Sequence, residues 1–280
     1  MGYANVLVSA SKANTSGGTF ADSLTANGTD TTNIAVFTNG GARVVNMWGI
    51  DSDSVAELEV ISTRPESTHD QLHGIRFEIA SLLPGGAAAV AGHNLLGGHG
   101  GFSCFAGDTL TLTVTSTAAD DVLVSYNLEY DDLPGVQGTF AHWDQVQALR
   151  KSTVGINSQA QASGTAGAYG TARALNADDA RLHAGSWYAL LGWSVQTAVT
   201  TISLVGPDWG GQRIGGPAGV LQLDHTAWFV DQSVLWGKPL IPCFQALNAG
   251  SINIQVADGE ASTTPKIDFL MYELTNRPGI

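Results

Sequence analysis

Apolar residues along this chain recur with a period of two. Thr109-Leu110-Thr111-Leu112-Thr113-Val114 alternates polar and apolar without a break, and so does Ser251-Ile252-Asn253-Ile254-Gln255-Val256. Successive side chains of a strand point to opposite faces, so each run predicts a half-buried β-strand. Short runs rich in β-branched and aromatic residues, punctuated by Gly, Asn and Asp, predict more strands in the first half: Asn5–Ala10, Ile34–Phe37, Arg43–Ile50, Val55–Ile61, Ile75–Ile79 and Val122–Tyr130. The second half has Trp187–Trp193, Thr197–Val205, Val220–Leu223, Ala227–Val230, Leu240–Phe244 and Lys266–Leu274. Helical periodicity is scarce. Ala141–Lys151 is the best helix candidate, with Thr139 as N-cap and no Glu or Gln three residues on to complete a capping box.

These patterns come in pairs. Phe102-Ser103-Cys104-Phe105 is answered by Ile241-Pro242-Cys243-Phe244, and the two alternating runs follow them. Glu129 matches Glu273, and Pro134-Gly135 matches Pro278-Gly279. Upstream, Trp48-Gly49 pairs with Leu191-Gly192, Leu58 and Val60 with Ile202 and Leu204, and Gly74-Ile75-Arg76 with Gly211-Gln212-Arg213. The offset drifts between about 137 and 144 residues, too long for a solenoid repeat. The expected fold is all-β: two tandem, internally duplicated antiparallel β-sandwich modules, jelly-roll-like, with roughly seven or eight strands each. Residues 1–135 form the first module with a flexible N-terminal region, 136–170 a connecting segment or arm, and 171–280 the second module. Ser11–Thr32 and Ser158–Gly170 have the small polar composition of flexible chain.

Composition narrows the function. Charged residues make up 13% of the chain, about half the usual share, so neutral residues cover much of the surface. That suits a surface that packs against other copies better than a freely diffusing enzyme. The net charge is −13 with only four lysines, which argues against direct binding of nucleic acid and against an anionic membrane. No apolar run approaches 18 residues, so no membrane insertion is expected, and Met1–Ala10 lacks the basic start and apolar stretch of a signal peptide. The chain reads as made in a cytoplasm. Cys104 and Cys243 occupy matching positions, so each is expected in its own core, with a bridge between modules as the alternative.

Candidate chemistry is thin. Four histidines, His69, His73, His93 and His99, cluster in one polar stretch, and His69 and His73 are spaced as a helical metal pair would be, but in a loop sequence. Asp51 and Asp53, with Asp131-Asp132 and Asp178-Asp179, carry oxygens suited to calcium but no complete calcium loop. Solvated turns are the default for these carboxylates, and calcium at a subunit seam is the alternative. His69, His73, Asp51 and Asp53 are the metal candidates, and no cofactor is otherwise expected. Gly97-Gly98-His99-Gly100-Gly101 resembles the oxyanion loop of some esterases, but no G-x-S-x-G elbow accompanies it. No catalytic residue is assigned. Trp209, in Pro207-Asp208-Trp209-Gly210-Gly211, is the aromatic expected to be exposed and the one candidate for a sugar-stacking ligand site. Trp187 and Trp193, six apart in one strand, are expected on one face, as core or interface.

Two tandem β modules, few charges, neutral arms and no catalytic signature together resemble the double jelly-roll major capsid proteins of tailless icosahedral bacteriophages and related viruses. The resemblance covers the layout of the whole chain and rests on no diagnostic motif. It implies two eight-stranded barrels side by side, a helix between strands of each barrel, and three chains forming a pseudo-hexagonal capsomer. Ser81–Ala91 is a poor match to that helix. The implied partners are further copies of the chain, as a homotrimer and higher assembly, and other virion proteins. The implied location is the virion, after synthesis in the host cytoplasm. A capsid cement or decoration protein, a tail or fibre component, and a lectin-like tandem carbohydrate-binding protein are the alternatives.

Overall fold

The alternation resolves into antiparallel sheets. The computed structural model describes residues 139–160, 169–179, 181–195, 201–210, 213–218, 225–257 and 264–279 with their side chains, and between residues 4 and 130 the backbone of nine strands. In the first half β1 (Ala4–Asn14), β9 (Asp120–Tyr130) and β3 (Ala42–Ile50) lie side by side, with β6 (His93–Asn94) and β7 (Phe102–Cys104) along the far edge of β3. A second sheet runs β2 (Gly18–Ser23), β8 (Leu110–Ser116), β4 (Val55–Ser62), β5 (Ile75–Phe77). Part of the region expected to be flexible, Ser11–Thr32, is therefore strand.

The second half repeats this order. One sheet runs β11 (Arg150–Gln159), β18 (Lys266–Leu274), β13 (Trp187–Val195), β16 (Ile241–Gln245), β10 (Phe140–Ala141). The other runs β12 (Arg173–Ala174), β17 (Asn253–Ala257), β14 (Thr201–Val205), β15 (Arg213–Pro217). Across the sheets, β1, β9, β3, β7 correspond to β11, β18, β13, β16, and β2, β8, β4, β5 to β12, β17, β14, β15. Most connections cross from one sheet to the other, which is the winding of a jelly roll.

Register shows which residues are equivalent. Glu129 lies across from Asn5 and Arg43, and Glu273 from Ser152 and Tyr188. Ser125, across from Trp48, is four residues before Glu129; Phe269, across from Trp193, is four residues before Glu273. Trp48 is thus level with Trp193, not with Leu191. The cysteines sit on corresponding strands but two residues out of register: Phe102, not Cys104, is level with Cys243. Leu58 and Val60 do align with Ile202 and Leu204, because Val114 and Val256 stand opposite the first of each pair.

The connection expected over 136–170 is not a linker through its length. Residues 150–159 form β11, which pairs with β18, and β10 before it pairs with β16, so the second half begins well before residue 171. Ahead of it, α1 (Trp143–Leu149) is shorter than the expected Ala141–Lys151. Its N-cap is His142 and not Thr139: the His142 backbone N–H donates to Gln145 Oε1 at 3.1 Å. Ala227–Val230, expected as a strand, instead opens α2 (Trp228–Trp236), which ends at Gly237 in the left-handed conformation. This helix lies between β15 and β16. Phe229 meets Trp193 of β13 edge-on at 5.4 Å, and the Trp228 indole N–H donates to the Gly215 carbonyl of β15 at 3.2 Å, so one end of α2 ties both sheets. The segments 34–37, 81–91 and 220–223 lie outside the described residues.

Among the residues described with their side chains, the core lies between the two sheets of the second half. Ile267, Phe269 and Met271 of β18 point into it with Trp193, Phe244, Ile202, Leu204, Ile254 and Val256, all buried. Trp187 and Trp193 do not share a face. A bulge between Leu190 and Gly192 shifts the register of β13, so the two tryptophans lie across from Leu274 and Phe269, five residues apart on β18. Trp193 is in the core, while Trp187 is half-buried beneath the Arg277 guanidinium.

Candidate functional site

One residue breaks the apolar series on β18. After Ile267, Phe269 and Met271, the next inward position is Glu273, only 1% exposed. A buried carboxylate needs donors, and neighbouring elements supply them. From β11, Lys151 Nζ donates to Oε1 and Ser152 Oγ to Oε2, each at 2.8 Å. From the turn before β13, Ser186 Oγ donates to Oε1 at 2.8 Å, and His183 Nδ1 lies 3.2 Å from the same oxygen. The turn is held in place by Gly185 at φ 84° and by the His183 backbone N–H, which donates to the Tyr188 hydroxyl at 2.8 Å. The Lys151 hydrogen bond is the main cause that holds the Glu273 carboxyl at about 2, against the opposing effect of burial; Ser152, Ser186 and His183 add to it. Burial pushes the Tyr188 phenol up.

The chemistry of this cluster is that of a clasp. In a nucleophilic triad the imidazole stands between carboxylate and hydroxyl, so that it can take the hydroxyl proton. Here the carboxylate is the hub, and both seryl hydroxyls donate to it. The arrangement fastens β11, β13 and β18 together and neutralises a lysine. In the sequence Glu273 stood out only as a repeat match. The signal for the site was a glutamate at the inward phase of an otherwise apolar strand.

The other sequence candidates fare unevenly. Trp209 is a correction: it is fully buried, not exposed. Asp208 accepts the Gln245 backbone N–H at 3.2 Å and the Asn248 amide at 2.9 Å, which pins the 3-10 turn Pro207–Trp209 to the end of β16. The pinned turn drives the next side chain inward, where the indole N–H donates to the Cys243 carbonyl at 3.1 Å and packs edge-on against Phe244. Trp209 therefore offers no stacking face to a sugar. Asp178 and Asp179 are not free calcium donors either. Each pairs with an arginine, Arg173 and Arg181 respectively. Cys243 is a free, fully buried thiol, and burial raises its pKa. His69, His73, Asp51, Asp53, His99 and Asp131-Asp132 lie outside the described residues, and of His93 only the backbone is described. Among the described residues no three His, Cys, Asp or Glu side chains converge as a metal site, and no helix is long and apolar enough to cross a membrane.

No family model matches the chain, and no curated protein matches it in sequence. Among solved structures it is similar to the major capsid protein of bacteriophage PM2, at 11% identity over 99% of this chain and 100% of that chain, with a TM-score of 0.23. So slight a likeness carries no argument. The fold rests on the chain's own strand order.

Proposed function

We propose that this chain is a virion structural protein, a major capsid subunit that self-assembles through trimers into an icosahedral shell. The observation that supports it is the jelly-roll strand order followed in both halves of one chain. Jelly rolls build viral shells and lectins. Two in tandem give one chain two similar sets of edges, and three chains then present six similar units, near enough to sixfold symmetry to tile a hexagonal lattice. A charged fraction of 13% leaves a neutral surface suited to lateral contacts, and a net charge of −13 keeps assembled particles apart in solution. The lectin alternative has lost its aromatic candidate, since Trp209 is interior. On this reading the protein works by assembly and not by catalysis, with no cofactor, and its partners are its own copies and other virion proteins.

Electron microscopy of the purified protein tests the proposal. Closed particles or hexagonal arrays are the expected result. Dispersed single molecules at every concentration and salt condition tried would count against a shell role.

A further inference from the structure

Among the described residues β11 is an edge strand, paired to β18 on one side only. Its other edge presents backbone N–H groups at alternate residues, a template for a further strand. At one end those groups are already taken. The Asn157 N–H donates to Asp179 Oδ2 at 3.3 Å, and the Gln159 N–H donates to Asp178 Oδ2 at 3.0 Å. Asn157 and Gln159 are two apart, so both N–H groups point the same way, and the two carboxylates stand where the carbonyl oxygens of a neighbouring strand would stand.

The carboxylates are themselves held. Arg173 Nε donates to Asp178 Oδ2 at 3.1 Å, and its Nη2 donates to Oδ1. Arg181 Nε donates to both oxygens of Asp179 at 2.8 Å, its Nη2 to Oδ2, and its backbone N–H to Oδ1 at 3.2 Å. Asp179 is 11% exposed despite its place in a surface turn.

We propose that the Asp178–Asp179 turn is a guard that closes the edge of β11 against strand addition by a second copy of the chain. The inference concerns one sheet edge and does not rest on the capsid reading: a shell subunit and a monomer alike must keep an open edge from pairing indiscriminately. Carboxylates suit the task because they accept backbone N–H groups yet offer no N–H in return, so the ladder cannot continue past them. Each arginine neutralises its carboxylate and fixes its direction.

The test is residue-resolved amide hydrogen exchange, with light scattering, on the full chain carrying Asp178→Ala and Asp179→Ala together. Exchange at Asn157 and Gln159 should rise at least about tenfold, and the average mass should exceed that of the parent protein at equal concentration. Asp178→Asn with Asp179→Asn keeps an acceptor oxygen at each position and should stay near the parent in both readouts. If the double alanine variant does not fold, the single variants separate the two bonds: Asp178→Ala should release Gln159 alone, and Asp179→Ala should release Asn157 alone. Unchanged exchange at both amides would overturn the proposal. So would faster exchange with no gain in mass, since an open edge would then recruit nothing.

Discussion

Glu273 shows how one side chain fastens three strands. Its carboxyl ordinarily has a pKa of 4.5 and is held at about 2 in the fold. A depressed carboxyl stabilises the fold fully above its unfolded value, and that contribution drains away as pH falls from roughly 4.5 to 2. Lys151 is exposed to solvent, which weakens the pair, so the contribution at neutral pH is set at about 2 kcal/mol. Glu273→Gln should lower stability by about that amount in urea unfolding at pH 7, and the gap to the parent should close near pH 2. Asp179 is also held at about 2, so the variant shrinks the acid limb without abolishing it. Equal stability at pH 7 would mean that the clasp contributes nothing. Trp209 carries a different lesson at this scale. Its Pro-Asp-Trp-Gly-Gly setting reads as an exposed turn, and it is a turn. Which way the indole points depended on Asp208 finding Gln245 and Asn248, residues nearly forty positions away.

At the scale of elements, local pattern located strands better than it located helices. β8 and β17 carry clean alternation and fall close to where it predicts, and β18 spans Lys266–Leu274 as its strand-forming residues predict. β11 was hidden because two of its inward positions are Ser152 and Ser158, which break the apolar signal; Ser152 faces inward to reach Glu273. Ala227–Val230, at the start of α2, carries a strand pattern because Trp228, Phe229 and Val230 are strand formers, yet in the helix Trp228 and Phe229 reach both sheets, and such packing overrides propensity. The approach to this helix also fixes a glycine. The Trp193 backbone N–H donates to the His225 carbonyl at 3.0 Å, and a Cβ built on Gly192 would lie 2.0 Å from that same oxygen. Because the obstacle is backbone, it cannot swing aside. Gly192→Ala should cost about 3 kcal/mol or more, measured by denaturant unfolding. A loss under about 1 kcal/mol would show that the 225–226 segment moves freely.

At the scale of the molecule, shell assembly requires contacts between copies. A trimer is the expected species, burying well over about 1,000 Å² per subunit. Light scattering across micromolar concentrations should report three times the 29.1 kDa chain mass or more. A stable monomer throughout that range would remove the assembly reading while leaving the strand order of the two halves untouched.

The sequence by itself determined the all-β class, most strand positions, and the correspondence of one half with the other at Glu129 and Glu273, because a period of two and a charged residue inside it are written in neighbouring positions. It also excluded helical bundles and established the acidic, weakly charged surface. Tertiary structure decided the rest. The bulge in β13 placed Trp187 and Trp193 on opposite faces, and register showed that Trp48 answers Trp193. Glu273 became a hub only when Lys151, Ser152, His183 and Ser186 were brought to it from other elements. Asp178 and Asp179 became caps on an edge strand only when the chain folded back along β11. In each case the deciding partner lies far away in sequence, and a hydrogen bond or a packing contact across that distance leaves no periodic trace in the chain.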